Sequence, residues 1–270
     1  MALHLRSRTL RSVWALTAIV VGPTLLGVST AAHASTTSTS TSTTIAGSPV
    51  PPSLVSASAS PAVGVAPSWV PTKTIVAAAK NRLTPIYASV GGTKPTLSLD
   101  NRKNFSGRHV FVVVAQDGQW LQVKVPARPN GRTGWVKAAD VKLYQHDYAI
   151  VVTLSAHSLV VYRGGKEFMR ETVAVGQGKY PTPTGSFFIR ELARPSNPRG
   201  AYGPWAFGLS AYSNVLQTFG RGDGQIGIHG TNAPNALGTN ASHGCIRVRN
   251  ESITKLAKTL PQGVPVEIVA

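Results

Sequence analysis

The chain has 270 residues, 42% of them hydrophobic, and a formal charge of +17 from 27 basic and 10 acidic side chains. That length and apolar content suffice for ordinary cores in one large domain or two small ones. The charge favours anionic surroundings such as nucleic acid, phospholipid head groups or the anionic polymers of a bacterial wall, and the presence of one cysteine, Cys245, excludes an internal disulfide.

The first segment, 1–34, carries Arg6, Arg8 and Arg11 ahead of a mostly apolar run from Val13 to Val28, then Ala32-His33-Ala34 as a small-x-small cleavage site. This is the layout of a secretory signal peptide. An uncleaved membrane anchor is the competing reading, but the run is short for a bilayer span and Gly22-Pro23 interrupts it. Loss of the three arginines would leave the mature chain at +14. Export argues against nucleic acid as a partner and leaves anionic wall polymers as the expected one. In an oxidising compartment an odd thiol is either reactive or deeply buried.

Residues 35–72 begin with Ser and Thr alone, from Ser35 to Thr44, and continue mostly in Ser, Pro, Ala, Val and Gly without a charge before Lys73. Such a segment buries too little apolar surface to offset ordering, which predicts a disordered tether. From 73 to 145 the pattern changes to short alternating runs, "HVFVVVAQDGQWLQVKVPARPNGRTGWVKAADV", with Asp117-Gly118 and Asn130-Gly131 as turn dipeptides. These predict a small β-barrel in which Trp120 and Trp135 belong to the core or, alternatively, to a binding cleft. The "DGQWLQV" hairpin followed by "GWV" resembles bacterial SH3-like domains, which implies a neighbour of a wall-active catalytic domain.

Residues 147–270 stay β-rich. "YAIVVTLSAHSLVVYRGG" predicts two strands and a tight turn, "KEFMRETVAVGQG" a third strand. Pro181 and Pro183 stiffen a loop before Gly185 opens another strand. The C-terminal stretch predicts one short helix with Ile253, Leu256 and Leu260 on a common face, then a closing strand. The fold class expected is mostly β.

Chemistry concentrates in "IGIHGTNAPNALGTNASHGCIRVRN", Ile226 to Asn250. A thiol becomes a nucleophile only as thiolate, and a histidine or a nest of backbone amides favours that form. Cys245 has His229 and His243 within reach in sequence, and Gly244 lets the main chain bend closely around the sulfur so that N–H groups face an oxyanion. Nucleophile, base and oxyanion hole are the parts of an acyl-transfer site. Zinc is the chemical rival, since His229, His243 and Cys245 are all possible ligands, but the spacing fits no usual ligand pair.

The motif "HGTN…SHGCIRVRN", with the "TPTGSF" loop and "YGPWAFGLS", resembles the catalytic domain of the L,D-transpeptidases, the YkuD-like family that remodels peptidoglycan. The resemblance implies a β-sandwich catalytic domain with a short helix. It makes Cys245 the acylated nucleophile and His229 the general base, oriented by the main-chain carbonyl at Gly230. It assigns His243, Gly244, Ser242, Arg247 and Asn250 to the oxyanion hole and the support of the site. Tyr202, Trp205 and Tyr212 become candidates for substrate binding. The implied reaction attacks the third residue of a tetrapeptide stem, releases D-alanine, and passes the acyl group from a thioester to the amine of a second stem as a 3→3 cross-link. No metal or organic cofactor is implied, a monomer is expected, and carbapenems are the expected covalent inhibitors. The alternatives are an L,D-carboxypeptidase or protein-to-wall ligase using the same site, and a non-catalytic wall-binding protein, which would have no need of the Cys245–His229 pair.

Two other matches are decoys. "SITK", Ser252 to Lys255, has the S-x-x-K spacing of penicillin-binding proteins, but it precedes no K-T-G and fits the start of the helix. Asn104, Asn240 and Asn250 form N-x-Ser sequons, and glycans on the last two would crowd Cys245.

Overall fold

A computed structural model describes residues 66–219 and 222–270. The signal segment 1–34 and most of the Ser/Thr-rich tether lie outside the described residues. In chain order the strands are β1 (Thr74–Ala79), β2 (Leu83–Ile86), β3 (Leu97–Asp100), β4 (Val110–Asp117), β5 (Trp120–Lys124), β6 (Thr133–Lys137) and β7 (Val141–His146) in the N-terminal part. The C-terminal part holds β8 (Tyr148–Thr153), β9 (Ser158–Arg163), β10 (Lys166–Thr172), β11 (Val175–Gly176), β12 (Gly185–Ala193) and β13 (Ala206–Tyr212). It continues with β14 (Gln225–His229), β15 (Asn240–Ser242), β16 (Ile246–Arg247), helix α1 (Asn250–Thr259) and β17 (Pro265–Val269).

The N-terminal strands form a five-stranded antiparallel sheet in the order β6-β5-β4-β1-β7, with β2 and β3 as a separate ribbon. The two predicted turn dipeptides join β4 to β5 and β5 to β6, and Gly118 and Gly131 take the left-handed φ values (51° and 79°) that those turns require. Alternation decides what faces inward. On β5 and β6, Leu121, Val123, Gly134 and Val136 are buried, so Trp120 and Trp135 fall on the other face and are half-buried. The core therefore forms on Ile86, Phe111, Leu121, Val123 and Val136 rather than on the two tryptophans. Trp120 meets the edge of Tyr87 at 5.0 Å, with the Lys137 ammonium over both rings.

The C-terminal strands form an eight-stranded mixed sheet, β10-β9-β8-β17-β12-β13-β14-β16, in which β17 pairs parallel with β8 and β16 parallel with β14. The helix starts at Asn250, so the S-x-x-K stretch lies inside its first turns, and Ile253, Leu256 and Leu260 enter the main core. Order begins earlier than Lys73. Val70 packs on Ala149, Val151, Val160 and Tyr162, and the Ala66 N–H donates to the Gly165 carbonyl, so the tether's last residues dock on the outer face of β8 and β9.

The two β parts share an interface. Phe188 of β12 packs with Val76, Ala78, Val110 and Val112, and Gly263 lies so close to Val76 that a Cβ would sit 2.5 Å from its Cγ2. Lys124, Ser186 and Glu267 form a hydrogen-bonded chain across the boundary.

Candidate active site

Cys245 and His229 reach the same place because of one parallel pairing. Ile228 of β14 is in register with Ile246 of β16, and both are fully buried in the core. With a period of two, His229 and Arg247 then project to the opposite face, and Cys245 precedes β16 at the mouth of the turn. Gly244 takes φ 111°, and a Cβ there would stand 2.9 Å from Ile226 Cδ1, so only glycine permits this turn.

The turn is braced from two directions. Ala174 exchanges both backbone hydrogen bonds with Arg247, and Gln177 N–H donates to the Ser242 carbonyl at 3.0 Å. Thr182, in the "TPTGSF" loop, accepts from Gly176 N–H at 2.8 Å and donates to the Gly244 carbonyl at 2.9 Å. Ser242 Oγ accepts from Gly244 N–H at 3.1 Å and donates to the Cys245 carbonyl at 2.5 Å. The Gly244 N–H is thus engaged within the turn, a correction to its place in the oxyanion hole. The Cys245 N–H meets no acceptor among the described residues.

His229 is 4% exposed. Its Nδ1 lies 2.6 Å from the Gly230 carbonyl, which can only accept, so Nδ1 carries the proton and Nε2 keeps the lone pair. Tyr202 lies against the imidazole, with ring centroids 4.7 Å apart. Burial pushes the His229 pKa down to about 4; the Gly230 hydrogen bond opposes this and Arg247 adds to the fall. Burial pushes the Cys245 thiol up, while a hydrogen bond from the Gly227 N–H and the charge of Arg247 pull it down. Both groups are therefore neutral at neutral pH. The buried Nε of Arg247 has no hydrogen-bond partner among the described residues.

Asn250 clamps the chain that follows His229. Its Oδ1 accepts from Thr231 N–H at 2.8 Å and its Nδ2 donates to the Thr231 carbonyl at 3.0 Å. Gly230 and Gly203 leave room for this amide, since a Cβ on either would come within 2.2 Å or 2.4 Å of Oδ1. Asn250→Ala strands two buried backbone groups at about 1–3 kcal/mol each, so urea unfolding is expected to register a loss of about 2–4 kcal/mol. A change under about 0.5 kcal/mol would remove the clamp from the account.

His243 lines the smaller of the cavities at Cys245. Its exposed imidazole lies between Tyr180, stacked at 4.8 Å, and Phe219 at 5.3 Å. Among the described residues no group of three His, Cys, Asp or Glu side chains is disposed to hold a metal. Two further candidates are not at the site. Trp205 lines neither cavity at Cys245; its ring packs on the core beneath the Arg194 guanidinium. Tyr212 is 5% exposed, accepts from Arg190 and donates to the Pro126 carbonyl at 3.1 Å, which makes it an anchor between the two β parts.

Two cavities, of about 190 and 500 Å³, share Tyr202, Phe219, Ile226, His229 and Cys245. The smaller adds His243 and Arg247, the larger Phe105, Glu191 and Asp223. Their wall at 213–219 and 222–224 is strapped from the N-terminal part: Arg128 donates to the carbonyls of Ser213, Leu216 and Asp223 at 2.8–3.0 Å. Arg128→Ala is expected to make this loop the first site of limited proteolysis while the rest of the chain resists; unchanged cleavage would discount the strap. Gly227 and Tyr180 were not legible as site residues, because one acts through its backbone and the other across the fold.

The family model described as YkuD, L,D-transpeptidase catalytic domain, matches residues 147–268. The chain is 34% identical to a Bacillus subtilis protein named as the L,D-transpeptidase YkuD, over 46% of this chain and 68% of that one. It is 32% identical to a second B. subtilis protein, named as the L,D-transpeptidase YqjB, over 45% of this chain and 71% of that one. Among solved structures, L,D-transpeptidase 3 from Mycobacterium tuberculosis in complex with a faropenem-derived adduct is similar at 17% identity and a TM-score of 0.40, covering 60% of this chain and 91% of that one.

Proposed function

Since this chain belongs to the L,D-transpeptidase family, we propose that it is an exported cysteine acyltransferase that forms 3→3 cross-links in peptidoglycan. The observation that carries this reading is the cavity shared by Cys245 and a His229 whose Nδ1–H is fixed on the Gly230 carbonyl, leaving Nε2 free to take a proton.

In the first half-reaction Nε2 of His229 removes the thiol proton as Sγ of Cys245 attacks the carbonyl carbon of the third, diamino residue of a tetrapeptide stem. The oxyanion is met by the Cys245 N–H. Collapse breaks the peptide bond, His229 returns the proton to the departing nitrogen, and D-alanine leaves. The side-chain amine of a second stem then attacks the thioester; His229 takes its proton and the thiol is regenerated. Arg247 favours the negative charge that develops. No cofactor enters either step.

We read 1–34 as the export signal and 73–145 as an SH3-like unit, and the excess of basic residues as holding the enzyme near anionic wall polymers. The same nucleophile would open a carbapenem ring and retain it as a thioester. The test is incubation with purified tetrapeptide-stem muropeptides and mass spectrometry of the products. Dimers with loss of D-alanine are expected; tripeptides without dimers would reassign the enzyme as a carboxypeptidase, and no turnover would favour a wall-binding role.

A further inference from the structure

The larger cavity has one wall that does not come from the catalytic strands. Phe105, from the turn between β3 and β4, lines it together with Pro195, Phe219 and Tyr202, yet remains 82% exposed. An isolated exposed phenylalanine is ordinary. This one is held in place: its N–H donates to Glu191 Oε2 at 3.0 Å, the neighbouring Asn104 donates to the Arg190 carbonyl at 3.4 Å, and Ser106 Oγ accepts from the Leu192 N–H at 3.0 Å. Asn104 itself is 5% exposed and its Nδ2 is occupied, so its sequon is closed to a glycan. Three hydrogen bonds thus fix a turn of the N-terminal unit on β12, and their effect is to hold one aromatic face open at the cavity rim.

Resting on the transpeptidase reading, we propose that Phe105 is a specificity residue that packs against the sugar of a glycan-borne stem. When the third residue's carbonyl reaches Cys245, the point where the stem joins the glycan lies at the nitrogen of the first residue, three residues' span away, about 10 Å along an extended chain. That places a pyranose beyond the enclosed part of the cavity, at its rim. A pyranose offers a face of C–H groups, which suits an exposed aromatic ring, whereas a free peptide stem has nothing there to cover it. The N-terminal unit then completes the substrate cleft as well as strapping its wall through Arg128.

The experiment uses the full mature chain in two backgrounds. In the unreactive Cys245→Ala background, calorimetric affinity is measured for a disaccharide-tetrapeptide and for the free tetrapeptide, with Phe105 intact, as Phe105→Ala and as Phe105→Trp. Phe105→Ala is expected to weaken the disaccharide-tetrapeptide about tenfold, the size of one aromatic contact, to leave the free peptide within about twofold, and to be rescued by Phe105→Trp. Equal losses for both ligands, or no loss for either, would overturn the proposal. Turnover is followed separately with Cys245 present. Absence of cross-linking there would sink the transpeptidase reading, while the binding comparison still decides the role of Phe105.

Discussion

Cys245→Ala is expected to abolish cross-linking, D-alanine release and carbapenem adducts together, a loss on the order of 10⁴-fold or more, because every step passes through its sulfur. The fold should survive. Cys245 is half-buried and its carbonyl, not its thiol, ties it into the turn: Ser242 Oγ holds the carbonyl and Gly244 takes the strained φ. Intact mass measurements of both proteins after exposure to a carbapenem, beside their thermal unfolding curves, check this. An adduct of equal size on the alanine variant would place the nucleophile elsewhere.

The second large effect is the pH behaviour of the pair. A thiol raised by burial and an imidazole lowered to about 4 form no ion pair in the resting enzyme. Alkylation by iodoacetamide should therefore be slow near pH 6–7 and still rising above about pH 8.5, where an ordinary thiol ionises. A plateau at acid pH would mean a preformed thiolate and contradict the burial account. Turnover should hold until the pH falls toward 4, where Nε2 is protonated, and His229→Gln should lower kcat by about 10²–10⁴-fold at pH 7.

The same shift bears on stability. The folded state keeps His229 neutral, whereas the unfolded chain takes up a proton below about 6.5, so stability is lost as pH falls from 6.5 toward 4, by up to about 3 kcal/mol. His109 and His146, also lowered by burial, act in the same direction.

The sequence by itself determined which residues can do chemistry here and much of the strand order. A lone cysteine after Ser-His-Gly, a histidine followed by glycine, and alternating apolar runs are local patterns, and local patterns survive in one dimension. Hence the strands from Tyr148 to Thr172, the turn dipeptides at Gly118 and Gly131, and the helix face of Ile253 and Leu256 were all readable. Only the tertiary structure decided what depends on burial and on partners distant in the chain. Strand registry turned Trp120 and Trp135 away from the core, since one residue's shift exchanges faces. It sent Tyr212 to the junction between the two β parts and Trp205 to the edge of the core, although both stand in the segment before the motif. It enlisted the Gly227 amide, Tyr180 and the turn at Phe105, which contribute through a backbone atom, a stacked ring and a cross-boundary hydrogen bond. Desolvation belongs to the fold as well: how far the His229 and Cys245 pKa values move is set by what surrounds them, and nothing in their spacing along the chain carries that information.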